Sequence, residues 1–223
     1  MQWCNIGGRI HNLHNAEIFL PSWQRKIDES IDQYKIVLQT MKSTVVPTVY
    51  QIHRANVNDY RNQMRHFIMT SRFNTSTLEE NAVFRAVQPK IGCIYCSPSP
   101  VTVHIPHESI MFILEMNNDT NEIAGVGMVM NKPKINKYSV YENGNYNRYS
   151  FVGNCRIDRT EMTEDENMIM RVFDILCFTG NRHMKRGQGL TMFPVDMLYK
   201  CHKKLDLVDY IRNMFKQRFS KTA

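Results

Sequence analysis

Apolar positions along this chain change their period several times, and each change predicts an element. After Pro21, the residues Ile27, Ile31, Tyr34, Leu38 and Met41 recur at alternating steps of four and three, one face of a helix. Ser22 is placed to cap it. Val45-Val46-Pro47 is placed to end it, because the residue before a proline is steered away from helical dihedrals. Residues 1–20 are polar and without period, and read as an arm. Residues 48–70 carry Tyr50, Val57, Tyr60, Met64, Phe67 and Ile68 with no Gly or Pro, which fits a helix or a strand leading into one. Beyond Asn74, Thr77 has capping-box spacing to Glu80 and predicts a short helix through Phe84.

The pattern then turns from helical to extended. Gly92, Pro98, Pro100 and Pro106 break residues 91–107 into loop and short strands. Two nearly continuous apolar runs, 109–115 and 123–130, flank the polar stretch 117–121, which predicts a β-hairpin buried on both faces, as in a curled or closed sheet. Gly125 and Gly127 share one face of its second strand and leave room for a bend or for another group to approach. Two further strands are expected at 138–141 and 145–157, joined at Asn143-Gly144. Thr163 to Glu166 repeats the capping-box spacing, and Ile169, Val172, Phe173 and Leu176 continue at helical spacing until Gly180. A closing strand at 190–193 and an amphipathic helix carrying Leu205, Val208, Phe215 and Phe219 complete the chain. No internal repeat is visible.

Composition narrows the classes. With 223 residues, 43% hydrophobic and 22% charged, the chain is of ordinary globular make-up, enough for one medium domain or a small pair. No apolar stretch approaches the roughly 20 residues that cross a bilayer, and no basic segment followed by an apolar block opens the chain. A soluble, intracellular protein is expected. Six scattered cysteines fit reduced thiols better than a secreted disulfide scaffold. The net charge of +7 is unevenly placed: residues 1–180 carry 18 basic and 18 acidic residues, so the ten basic and three acidic residues of 181–223 supply the whole excess. A basic C-terminal region attracts polyanions, nucleic acid first among them.

Three constellations carry candidate chemistry. Cys93-x2-Cys96 followed by His104-x2-His107 has the residue types of a zinc site, but the seven-residue spacer is short and holds two prolines; buried thiols and loop histidines are the favoured account, with no cofactor expected. No GxSxG, HExxH, P-loop or GxGxxG is present in the context its chemistry needs, which weighs against an enzyme. The run Glu164-Asp165-Glu166 suits a helix N-terminus. The third constellation interleaves aromatic and basic residues. Tyr146, Arg148, Tyr149, Arg156 and Arg159 lie on expected strands, and Arg182, His183, Lys185 and Arg186 precede Gly187 and Gly189 in the later loop. Cations neutralise phosphates, tyrosine rings stack on unpaired bases, and glycines let backbone amides approach an anion. Asn117 and Asn118 are candidates for a base edge, with turn formation the competing account.

The ordered segments CIYCSPSP (93–100), IMFILEMNNDTNEIAGVGMVMN (110–131), YENGNYNRYSFVGNCRIDR (141–159) and CFTGNRHMKRGQGLTMFP (177–194) resemble an uncharacterised protein family of large DNA viruses. The order of hairpin, aromatic strand pair, helix and closing strand is also similar in architecture to PUA-like barrels, the group holding ASCH, EVE and YTH domains. The resemblance implies an RNA- or DNA-binding module, in some members a reader of modified bases in an aromatic pocket. YTH-type pockets use tryptophans, whereas Trp3 and Trp23 fall outside the barrel region here. The expected architecture is therefore α+β: a helical N-terminal region (1–90), a small PUA-like β-barrel (91–195) and a basic amphipathic C-terminal helix (196–223). The expected function is non-enzymatic binding of RNA or other single-stranded nucleic acid in the cytoplasm or nucleus of an infected cell, with no membrane partner. A virion or assembly protein that binds viral or host proteins, and an ASCH-like RNA hydrolase with His183 as base, stay open as alternatives. All of this depends on a curled sheet bringing the tyrosines and the Gly187 loop onto one concave wall.

Overall fold

The two apolar runs of the predicted hairpin form it. In the computed structural model β3 (Ile110–Asn117) and β4 (Glu122–Met130) pair antiparallel, and side chains on both faces of β3 are buried, which is why its apolar run is continuous rather than alternating. The structure describes Asp32 and residues 48–220. The helix predicted after Pro21, its Ser22 cap, its end at Pro47 and the N-terminal arm lie outside the described residues. The chain divides into two compact units, Met1–Ile52 and His53–Ala223, and both sheets belong to the second.

The element order begins with α1 (Val49–Gln63), then β1 (His66–Phe73), α2 (Thr75–Ala86) and β2 (Cys93–Ser97). After the hairpin come β5 (Lys134–Ile135), a 3-10 turn (Gly144–Asn147), β6 (Tyr149–Gly153) and β7 (Cys155–Asp158). The chain ends in α3 (Glu164–Phe178), β8 (Leu190–Met192), α4 (Val195–His202) and α5 (Leu207–Phe219). A five-stranded mixed sheet runs β7-β4-β3-β1-β8, with β1 and β3 parallel, and a second antiparallel sheet runs β2-β6-β5.

Strand alternation divides the core in two. Ile68, Phe112, Leu114 and Met116 point to one face of the large sheet and pack with Met170, Phe173 and Cys177 of α3 and Ile211, Met214 and Phe215 of α5. Phe67, Met69, Phe73, Met111 and Ile113 point to the other and pack with Ile94, Tyr95 and Phe151 of the small sheet. Helices α3 and α5, the large sheet and the small sheet thus form three layers, with Leu78 and Phe84 of α2 packed on the small-sheet side.

The α+β class holds, but the sheets do not close into a barrel: β7 and β8 are free edges of the large sheet. The expected boundary at residue 90 also fails physically, because β1 lies between β3 and β8 and pairs with β3 along eight positions. The segment 138–141 is not a strand, and Asn143-Gly144 opens the 3-10 turn, Asn143 Oδ1 accepting from the Asn145 amide at 3.2 Å. The strand expected at 145–157 is split: β6 pairs with β2 in the small sheet, β7 with β4 in the large one, and the chain changes sheets at Asn154. The α2 cap is Asn74, with Thr77 at the third helical position completing the capping box, so the cap falls three residues before the expected Thr77. The box at Thr163 and Glu166 forms as the spacing predicts.

Candidate nucleic-acid interface

Where β1 gives way to α2, the small sheet, the β3–β4 turn and the loop before β8 converge on a cleft of about 490 Å³. This volume lies within the roughly 300–1,000 Å³ of small-molecule sites. The Asn74 cap fixes one wall: its Oδ1 accepts from the Thr77 amide at 2.8 Å, and Asp119 Oδ2 of the hairpin turn accepts from the Thr75 amide at 2.8 Å. The N-terminus of α2, with Asn74, Ser76 and Thr77, opens onto the cleft and brings the positive end of its dipole there. Tyr146 is the partly exposed ring of the cleft, and Phe73 and Tyr141, 6.4 Å apart between ring centres, are buried behind its floor. The Tyr141 hydroxyl accepts from Asn81 Nδ2 at 3.0 Å, and burial pushes its pKa well up, so it stays a neutral phenol. Gly187, Gln188 and Gly189 form the far rim.

Three features expected from sequence meet here. Tyr146, Asn118 and the Gly187–Gly189 turn all line the cleft. Asn118 Nδ2 donates to the Lys185 carbonyl at 3.2 Å, which ties the hairpin turn to the cationic loop, while its Oδ1 is buried without a protein partner. Lys185 Nζ donates to Asn121 Oδ1 at 2.8 Å, and Arg186 is exposed with no ion pair among the described residues. Arg148 lies over the Tyr149 ring at 5.7 Å, and Tyr149 packs on the core between the sheets.

Other expected contacts are turned inward or already paired. Arg156 is nearly buried; its Nη2 and Nε meet both oxygens of Glu115 at 2.7 and 2.9 Å, and its Nη1 meets Asp158 at 2.8 Å. Arg159 is held by Asp174 at 3.1 Å, Asn167 at 2.6 Å and the Ile123 carbonyl at 3.1 Å. Both are corrected from phosphate contacts to structural cations, because their donors are directed to internal acceptors. Arg182 pairs with Asp196 at 3.0 Å but stays exposed. Asn117 is buried and its Oδ1 accepts from the Asp119 amide at 3.0 Å, so the turn, rather than a base edge, uses it. His183 Nδ1 is buried without a partner, and no carboxylate among the described residues orients the ring as a base would need.

Cys93 and Cys96 sit three apart on one strand, a spacing that turns their side chains to opposite sides. Cys93 Sγ donates toward the Cys155 carbonyl, Cys96 Sγ toward Ser150 Oγ, and His104 and His107 are exposed. Burial pushes the two thiols up to about 12 and about 11, far from the thiolate a metal requires. Among the described residues no group of three or more His, Cys, Asp or Glu is arranged to hold a metal ion.

Arg72 was not anticipated. It lines the cleft from β1, its Nε donating to the Met184 carbonyl and its Nη1 to Thr191 Oγ1 at 2.9 Å. Its sequence signal is a lone cation inside the otherwise uncharged run FIMTSRF. No protein-family model, curated protein or solved structure matches this chain.

Proposed function

We propose that this protein binds single-stranded nucleic acid, RNA ahead of DNA, with one nucleotide seated in the cleft between the β1–α2 junction and the Gly187–Gly189 turn. The observation that carries the reading is the convergence on one concavity of a partly exposed ring (Tyr146), an amide side chain with a free buried oxygen (Asn118), a cation (Arg72) and the Gly187–Gly189 turn that follows the cationic loop. Unpaired bases stack on such rings at about 1–3 kcal/mol each, and the cleft is too confined for a duplex. Lys185 and Arg186 then meet the strand leaving it. Tyr146, backed by the buried Tyr141 and Phe73, supports the finer reading of a modified base, held by tyrosine where YTH domains use tryptophan.

A PUA-like origin belongs with this proposal: the hairpin, β6 and β7, α3 and β8 keep the order of hairpin, strand pair, helix and closing strand that suggests that group, in sheets that stay open. An intracellular site of action belongs with it too; no helix among the described residues is long and apolar enough to cross a membrane. Fluorescence anisotropy with a labelled single-stranded RNA, its duplex form and a methylated-base version tests the reading. Binding of the single strand, weakening linearly in log K against log salt, is expected. Equal affinity for the duplex, or no binding at low salt, overturns it.

A further inference from the structure

The arginines of the described core fall into two sets. Arg156, Arg159 and Arg218 are each paired with a carboxylate, at Glu115, Asp174 and Glu166. Arg61, Arg72 and Arg85, also half-buried, have none among the described residues, and of these Arg72 is the one that lines the cleft. Glu80 and Glu142 line the same cleft but neither forms an ion pair with it. Cys177 lies near, and burial pushes that thiol up to about 12, so it supplies no counter-charge near neutral pH. A guanidinium carries five N–H donors, and the protein accepts from two of them. The donors left over are open to the cleft rather than buried, and a cation partly out of water with no counter-charge is placed to take an anion there.

The wall facing Arg72 is shaped for that completion. Gly187 has φ +117°, and a Cβ there would stand 3.3 Å from the guanidinium carbon and 3.5 Å from both terminal nitrogens. Any other residue would strain the backbone and press a side chain onto the guanidinium. Glycine leaves it bare. The N-terminus of α2 opens into the same cleft, and burial pulls the Arg72 pKa below its ordinary value, as an uncompensated cation requires.

We propose that Arg72 is the anion-recognising side chain of the cleft and takes a phosphate of the bound nucleotide on the donors the protein leaves free. The inference rests on the nucleotide reading above and adds a half-buried arginine inside the cleft to the phosphate contacts that Lys185 and Arg186 make on the strand outside it. A planar fork of N–H groups matches a phosphate or a carboxylate, so the test separates the two sources.

Single-stranded RNA, adenosine 5′-monophosphate, adenosine and acetate are titrated onto the full chain and onto Arg72→Gln and Arg72→Lys, with thermal unfolding of each. Expected are a preference of the wild type for the monophosphate over adenosine of about tenfold or more, no competition by acetate, and an RNA affinity lower by a similar factor in Arg72→Gln. Arg72→Lys retains charge but loses the fork, and falls between. Unchanged RNA affinity in a folded Arg72→Gln protein overturns the inference while leaving the nucleotide reading intact. If Arg72→Gln does not fold, the wild-type comparison decides, and absence of a phosphate preference counts against the proposal. A wild type that binds neither RNA nor nucleotide removes the reading and the inference together.

Discussion

Two cationic regions of this protein look alike in sequence and differ in what surrounds them. Between the sheets, Arg156 meets Glu115, whose other contact is the Tyr95 hydroxyl at 2.7 Å; the side chains of Arg156 and Glu115 are 11% and 2% exposed. At the cleft, Arg72 is half-buried with only a carbonyl and a hydroxyl as partners. Burial acts on both guanidiniums in the same direction, toward a lower pKa. At Arg156 the Glu115 carboxylate outweighs it and the pKa ends above its ordinary value; at Arg72 no carboxylate does, and the pKa ends below. A cation's availability is therefore decided by what the fold sets against it, which sequence position alone does not disclose. The Glu115 network is closed, and the Arg72 cleft is open.

Breaking the closed network should have the largest effect. Glu115→Ala leaves the buried Tyr95 phenol without its acceptor and the Arg156 guanidinium with Asp158 alone, and a loss of about 3–5 kcal/mol of stability is expected in urea unfolding. Unfolding within about 1 kcal/mol of wild type would show that water satisfies Arg156 and that the two regions differ less than the geometry says. A smaller loss is expected from Gly127→Ala. Its Cβ would stand 1.9 Å from Tyr95 Oη, so the ring that reaches Glu115 must move, at a cost of about 1–3 kcal/mol. Tyr95→Phe in that background removes the nearest atom and should recover part of the lost melting temperature; no recovery would place the strain elsewhere.

The same contrast explains what the sequence disclosed. Elements set by local chemistry were legible: the apolar runs of β3 and β4, the Thr163–Glu166 box, and the paired glycines of β4, which admit Tyr95 and the Arg156–Glu115 pair. Elements set by distant partners were not. Gly153-Asn154 gives no sign that the chain leaves one sheet for another, and the apolar strand β1 reads equally as a helix end until β3 is beside it. Of the site, Tyr146, Asn118 and the Gly187 turn were legible because aromatic, amide and glycine in loops have few structural uses. Arg156 and Arg159 misled because the carboxylates that hold them lie 41 and 15 residues away in the chain. Arg72 was hidden in a strand.

A third cation sharpens the closed case by pH. Arg218 donates to both oxygens of Glu166, which also accepts from the Thr163 amide, and the Arg218 bonds foremost hold the Glu166 carboxyl below its ordinary 4.5. A depressed carboxylate contributes stability that is fully present above 4.5 and is lost as pH falls through the lower folded value. Melting temperature should thus decline on acidification below that point, and Arg218→Ala should flatten the part of the decline that belongs to this pair. An unchanged acid limb in the variant would mean that the pair is not what titrates.

The smallest stability effect belongs to the open side. Lys185→Ala with Arg186→Ala removes one hydrogen bond, to Asn121, and an exposed guanidinium without an ion pair among the described residues. Surface changes of this kind usually stay within about 0.5 kcal/mol, so the unfolding curve should not move. Binding should. Each phosphate contact on a single strand contributes about 0.7 to the slope of log K against log salt, and the double variant is expected to lose about 1.4 of it. Arg156→Ala gives the inverse pattern, because its charge faces Glu115: stability falls, and the folded fraction keeps the wild-type salt slope. If instead the loop variant keeps the slope and a folded Arg156→Ala protein loses it, strands contact the β7 side of the molecule, and the assignment of open and closed cations is reversed.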